Sequence, residues 1–288
     1  MRGSVAAGVG TRGRLVVTLS IAIALAIGLA QDASAAGFVT GVYGRDSSAT
    51  GVDILHQTGF NTISMSVNLG NIQSSIKQLD MLQAKGMRAI IWLGSYDRVV
   101  KCGFERSDAW VRQIVGALAY HPAVAAFQIA DEVDRATARG CPNVPAAIAA
   151  RNAVIRSVAP TVDTYVTVTA FDGVDWFPYQ KYASTASILG LVIYPCVKAK
   201  PTCNFDRIGK AIQAADADGV ARYWVVMQDY GDTTYRQPTA TELDQEMTAW
   251  HSSRLEGYFL YHWTKGNLEA KPDHLDVLKS QNAWFLAR

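Results

Sequence analysis

Eight strand-like runs, each followed by a loop and a helix-like stretch, recur through about 250 residues of this chain and predict an α/β fold, a single (β/α)₈ barrel. Two further observations support that prediction. The strand cores are apolar on both faces, as parallel strands covered by helices must be, and the helices carry 3.6-residue periodicity and glycine stops. An open doubly wound sheet is the alternative, but Gly41-Val-Tyr-Gly44 lacks the GxGxxG spacing of its phosphate loop.

The strand-like runs begin near Phe38, Phe60, Met87, Ala123, Thr164, Ile188, Tyr223 and Gly257. Arg88-Ala-Ile-Ile-Trp-Leu93 and Trp224-Val-Val-Met227 are apolar throughout their centres, which suits burial on both faces. The stretch from Ile72 to Lys85 places Ile72, Ile76, Leu79, Met81 and Leu82 at helical spacing and stops at Gly86, while Ile208 to Ala217 stops at Gly219. Thr239 and Glu242 form a Thr-x-x-Glu capping box that opens a helix running to about Ser253. His121-Pro122 ends the helix before the fourth strand.

Residues 1–35 read as a secretory signal peptide. Arg2, Arg12 and Arg14 precede an apolar run from Leu15 to Ala30, and Ala33-Ser34-Ala35 supplies a small-residue cleavage site. The run is about 16 residues, short of the roughly 20 that span a bilayer. The expected product is an exported barrel of residues 36–288, with no membrane association after cleavage. Of the 27 basic and 25 acidic residues, the signal removes three Arg and one Asp, leaving 24 of each. A neutral chain without clustered Lys and Arg excludes nucleic acid as the natural partner. A carbohydrate or small polar ligand fits better, and a monomer is expected.

All four cysteines, Cys102, Cys141, Cys196 and Cys203, lie in the exported part, and an even count bound for an oxidising compartment suggests two disulfides. Three pairings are possible. The favoured one closes a small loop with Cys196 and Cys203 and joins the loops after two neighbouring strands with Cys102 and Cys141. A metal site has neither a CxxC nor a close His partner to support it, so no metal and no cofactor is expected.

In a barrel of this kind active sites lie at the C-terminal ends of the strands. Those ends carry Tyr43, Arg45 and Asp46; Ser66 and Asn68; Trp92, Tyr96 and Asp97; Asp131 and Glu132; Thr169, Phe171 and Asp172; Tyr194; Gln228, Asp229 and Tyr230; and Tyr261, His262 and Trp263. Aromatic rings interleaved with acids and amides suit sugars, whose CH faces stack on rings while their hydroxyls seek hydrogen bonds. The fourth run, HPAVAAFQIADEVD, ends abruptly in the carboxylate pair Asp131 and Glu132. Two acids in one low-dielectric cleft raise the pKa of one of them, as acid catalysis near neutrality requires. No GxSxG elbow supports an esterase, and His262 has no second His at ligand spacing.

With HPAVAAFQIADEVD at strand four, RYWVVMQDYG at strand seven and GYFLYHW at strand eight, the layout resembles the large clan A superfamily of barrel glycoside hydrolases. The resemblance implies an acid/base Glu after strand four, here Glu132, a carboxylate at the end of strand seven and an aromatic residue after strand eight. The pattern departs in two places: Asp131 stands where Asn usually precedes the acid, and Gln228 stands at the nucleophile's position. Asp229 is then the leading second carboxylate, although neighbours on a regular strand face opposite ways. Asp97 or Asp172 acting across a wider gap, and a barrel that binds sugar without cleaving it, are the alternatives. Asp131, Gln228, Tyr43, Asn68, Trp92, Asp172, Tyr194, His262 and Trp263 are the expected substrate contacts. The expected function is hydrolysis of O-glycosidic bonds in a poly- or oligosaccharide.

Overall fold

The computed structural model describes residues 1, 3, 37–44 and 48–288. The expected signal segment and the strand-one rim residues Arg45 and Asp46 lie outside them, apart from residues 1 and 3. Ala36–Arg288 forms one compact unit. Its eight strands are β1 (Val39–Val42), β2 (Thr62–Ser66), β3 (Arg88–Trp92), β4 (Val124–Ala130), β5 (Asp163–Thr169), β6 (Ile188–Val192), β7 (Tyr223–Gln228) and β8 (Gly257–Tyr261). They pair in parallel and in sequence order, and β8 closes onto β1. The predicted (β/α)₈ barrel is therefore the fold of this chain.

The connecting helices are α1 (Ala49–Gln57), α2 (Ile72–Ala84), α3 (Asp108–Leu118), α4 (Asp134–Ala138), α5 (Val144–Val158), α6 (Tyr179–Tyr182), α7 (Asp206–Ala217), α8 (Ala240–Ala249), α9 (Trp263–Gly266) and α10 (Pro272–Leu286). The predicted capping box forms: the Thr239 hydroxyl accepts from the Glu242 amide while Glu242 accepts from the Thr239 amide. That helix ends at Ala249, four residues before the expected stop, and Trp250 seals its end in the core.

Two apolar layers hold the barrel. Strand residues facing outward pack with the helices in a large core that includes Ile91, Phe127, Ile129, Val225, Met227 and Leu260. Those facing inward, Val39, Ile90, Ala126, Tyr165, Ile188, Trp224 and Phe259, fill the barrel lumen. Rings this large need small partners on the neighbouring strand. A Cβ at Gly41 would come within 2.5 Å of Phe259, and one at Gly190 within 2.5 Å of the Tyr165 hydroxyl, so glycine is required at both.

Both disulfides form as favoured. Cys102–Cys141 ties the loop after β3 to the segment after α4, and Cys196–Cys203 closes the loop after β6. The first spans 39 residues of sequence and the second seven. Chain-entropy scaling assigns the longer closure about 4 kcal/mol and the shorter about 2 kcal/mol. Replacing Cys102 and Cys141 by Ser is therefore expected to lower the denaturant midpoint more than replacing Cys196 and Cys203; equal midpoints in urea unfolding would contradict this.

Candidate active site

The carboxylate pair owes its position to an irregularity in β4. Gln128 is in register with Tyr165 and Ala130 with Val166, so β4 carries one extra residue against β5. Ile129 and Ala130 both join the helix-facing core, and the strand then turns. Asp131 follows beside Thr167 of β5, whose hydroxyl donates to its Oδ1 at 2.6 Å. Glu132 sits in the left-handed region, with φ of 45°, and its amide donates to the same Thr167 oxygen at 2.6 Å. A non-glycine residue held there is strained, and such strain gathers at functional sites.

The two acids meet different partners. Glu132 is half-buried and pairs with Arg135 one turn on, Oε2 to guanidinium, at 2.5 Å. Asp131 reaches solvent at the mouth yet is crowded by protein. That desolvation, then repulsion from Glu132, pushes it up to about 6, against lowering by the Thr167 hydrogen bond, Arg98 and Arg135. The negative charge of Asp131 in turn reaches Tyr43 and Tyr165 of the lumen and Tyr194 of the β6 end.

Tyrosines line the rest of the mouth. Tyr194 lies 5.3 Å from Tyr230, 5.3 Å from Tyr235 and 6.1 Å from Tyr261, ring centre to ring centre. Burial drives the Tyr194 and Tyr230 hydroxyls well above their ordinary range, and the Glu132 charge adds to the rise. Lys265 donates to the Tyr261 hydroxyl at 3.0 Å and lies over the Tyr230 and Tyr261 rings. Tyr43 donates to the buried Gln128 amide oxygen at 3.3 Å. Trp92 is half-buried in register between Ser66 and Gln128, on the other flank of the pair.

Several expected site residues are elsewhere. Asp229, expected as the second carboxylate, is fully buried and turned toward α10, where both oxygens lie 3.1 Å from His274 Nδ1 and Oδ1 accepts from Gln237 at 2.9 Å. Strand alternation explains this, because Trp224 faces the lumen and the odd-numbered Val225 and Met227 face the helices. Gln228 is also buried. Its Oε1 accepts from the Cys196 amide at 2.9 Å and its Nε2 donates to the carbonyls of Cys196, Tyr230 and Arg236, so it knits the β6 and β7 loops together instead of meeting a ligand. Trp263 packs edge-on against Phe60 and donates to Glu269 at 3.1 Å, buried beneath the rim because α9 starts with it.

Asp172 is buried under its own loop, bound to Lys181 at 2.7 Å; burial acts to raise its pKa, but Lys181 and the amides of Asp175 and Val174 outweigh it and hold it low. Asp97 accepts from the Cys102 amide and from Arg139, each at 2.6 Å, and both lower its pKa. Asn68 is exposed and caps the short 3₁₀ turn after β2, accepting from Gly70. His262 is half-buried and caps α9, accepting from the Lys265 amide; desolvation and then Lys265 lower its pKa. The structure thus gathers Asp131, Glu132, Tyr43, Trp92 and Tyr194 at the mouth.

The expected contacts omitted Thr167, Arg135 and Tyr235. Thr167 was legible from the alternation Tyr165, Thr167, Thr169 along β5, whereas Tyr235 sits on a loop whose path no periodicity reports.

Two outcomes follow from this geometry. The Asp131 carboxyl is expected to titrate near pH 6 by carbon-13 NMR and to move down in Glu132→Gln, which removes the repelling charge; an unchanged midpoint would refute the coupling. Since the folded chain keeps this proton above the ordinary aspartate value, stability falls as pH rises from about 4 to 6. Asp229→Ala is expected to destabilise by about 3 kcal/mol in urea unfolding by stranding His274 and Gln237, while the Asp131 titration stays where it was.

No protein-family model matches the chain, and no curated protein matches its sequence. Solved structures do. An exo-β-1,4-mannosidase from Opitutaceae bacterium strain TAV5 superposes with a TM-score of 0.64 at 14% identity, covering 88% of this chain and 60% of that one. The Pseudomonas stutzeri endoglucanase gives 0.61 at 12%, covering 85% and 93%. A β-galactosidase from the haloarchaeon Halorubrum lacusprofundi gives 0.66 at 10%, covering 86% and 57%. This chain spans about three-fifths of the mannosidase and of the galactosidase, and nearly all of the endoglucanase. The protein is a single (β/α)₈ barrel of the kind these glycoside hydrolases carry.

Proposed function

We propose that this protein is a secreted glycoside hydrolase acting on a poly- or oligosaccharide, with the Asp131–Glu132 pair as its acid/base machinery. The observation that carries the reading is the adjacent pair Asp131 and Glu132, held at the mouth by Thr167 beside the Tyr194, Tyr230 and Tyr261 cluster, with the Asp131 carboxyl pushed up to about 6. A glycosidic oxygen leaves only when protonated, and a donor that keeps its proton near neutrality supplies it. Glu132, at the position the strand-four resemblance implies, is the acid/base; Asp131, which it repels, is the neighbouring carboxyl pushed up to about 6. Thr167 holds the pair in register by bonding Asp131 and the Glu132 amide together.

Gln228 is fully hydrogen-bonded and Asp229 is buried against His274, so neither supports a glycosyl ester on strand seven. Tyr194 and Tyr230 hold their protons well above neutrality, which disfavours a tyrosinate nucleophile. The disulfides, and the lack among the described residues of any helix long and apolar enough to cross a membrane, support an oxidising extracellular setting.

The same strand-seven arrangement favours a second reading, a barrel that binds carbohydrate without cleaving it. The two separate in a screen of the mature protein against plant, fungal and bacterial cell-wall glycans. A hydrolase releases reducing ends, loses on the order of 10²–10⁴-fold of its rate in Glu132→Gln, and slows as pH rises beyond about 6. Binding without release, unchanged in Glu132→Gln, would establish the lectin.

A further inference from the structure

The loop after β5 carries the barrel's most exposed group of large apolar side chains near the candidate site. Phe171 is 42% exposed, Val174 73% and Trp176 61%. They do not sit on a slack loop. Phe171 and Trp176 pair across an antiparallel bridge with their rings 4.9 Å apart. Asp172, fully buried between them in sequence, accepts from the Val174 amide at 2.9 Å and the Asp175 amide at 2.7 Å, and Lys181 binds both Asp172 and Asp175 at 2.7 Å. A buried, paired carboxylate is a costly way to hold a loop unless what the loop displays has a use.

The hairpin is continuous with the carboxylate pair. Gly173 lies so close to Ala138, at the end of α4, that a Cβ there would come within 2.7 Å of it, and α4 begins two residues after Glu132. Thr169 donates to the Phe171 carbonyl and to Asp134 of that helix. The two rings are therefore fixed relative to the site. The Arg207 guanidinium lies 5.6 Å from the Trp176 ring, and Asp175 and Lys181 add polar groups around it.

From this geometry we infer that the Phe171–Trp176 hairpin is a distal sugar-stacking platform, so the ligand is a glycan chain that runs from the carboxylate pair outward past β5. The inference rests on the carbohydrate reading above and adds to it the length and direction of the ligand. Three apolar side chains are far too few for a stable protein interface, which buries roughly 800 Å² on each partner. The balanced charges of Asp175 and Lys181 do not make the basic rim that would seek an anionic membrane. Exposed rings flanked by hydrogen-bonding groups match the alternating CH faces and hydroxyls of a sugar.

The test measures binding by calorimetry in a Glu132→Gln background, so that cleavage is not the readout. The probes are linear β-1,4-glucan, β-1,4-mannan, β-1,3-glucan and chitin oligosaccharides from di- to hexasaccharide. Trp176→Ala is expected to weaken the hexasaccharide of the preferred series roughly tenfold while leaving its disaccharide unchanged. Phe171→Ala follows it, and Tyr120→Ala, which removes an exposed ring ahead of β4 at the opposite end of the barrel, leaves both lengths unaltered. Equal affinities for wild-type and Trp176→Ala hairpins, equal losses at both lengths, binding of no oligosaccharide, or Trp176-dependent binding to phosphatidylcholine vesicles instead would each overturn the platform. Length-dependent loss without any hydrolysis by the Glu132-bearing protein would keep the platform and dismiss the hydrolase.

Discussion

The mouth of this barrel depends on the single extra residue that β4 carries against β5. Without it, strand alternation after Gln128 would send Ala130 inward and Asp131 outward among the helices. With it, Ile129 and Ala130 are both spent on the helix-facing core, and Asp131 arrives at the mouth. The left-handed turn at Glu132 then starts α4, whose Asp134 returns to bond the Thr169 amide of β5. Thr167 and Thr169, two inward positions of one strand, thereby hold the whole strand-four turn.

The irregular strand is supported by a regular frame. The lumen beneath the strand ends is filled by Tyr165, Trp224 and Phe259, with glycines set against the rings. Tyr165 of that floor feels the Asp131 charge, and desolvation is the largest contribution to the raised Asp131 pKa.

Strand seven shows how a similar layout can serve a different purpose. Gln228 carries both donor and acceptor functions, which an acid at neutral pH lacks, and it uses them on Cys196, Tyr230 and Arg236 to bind two rim loops. Asp229 faces the outer layer, where it joins His274 and Gln237 near the buried Glu246. Both residues are structural anchors of the wall from which the tyrosine ring rises.

Sequence by itself determined the repeating β/α architecture, the Thr239–Glu242 cap and the strand-four acids, because periodicity, punctuation and residue type are local properties that survive whatever the chain packs against; among three cysteine pairings it only favoured one. It could place a residue at a strand end but not decide where that residue points. Trp263 reads as a rim aromatic and Asp229 as a rim acid, yet an immediate helix start buries one and plain alternation turns the other outward. The same limit hid Tyr235, which reaches the mouth along a loop pinned to Val197. Orientation depended on the register between β4 and β5 and on which loops met across the barrel. Those are long-range matters of packing and hydrogen bonding, and only the closed tertiary structure decided them.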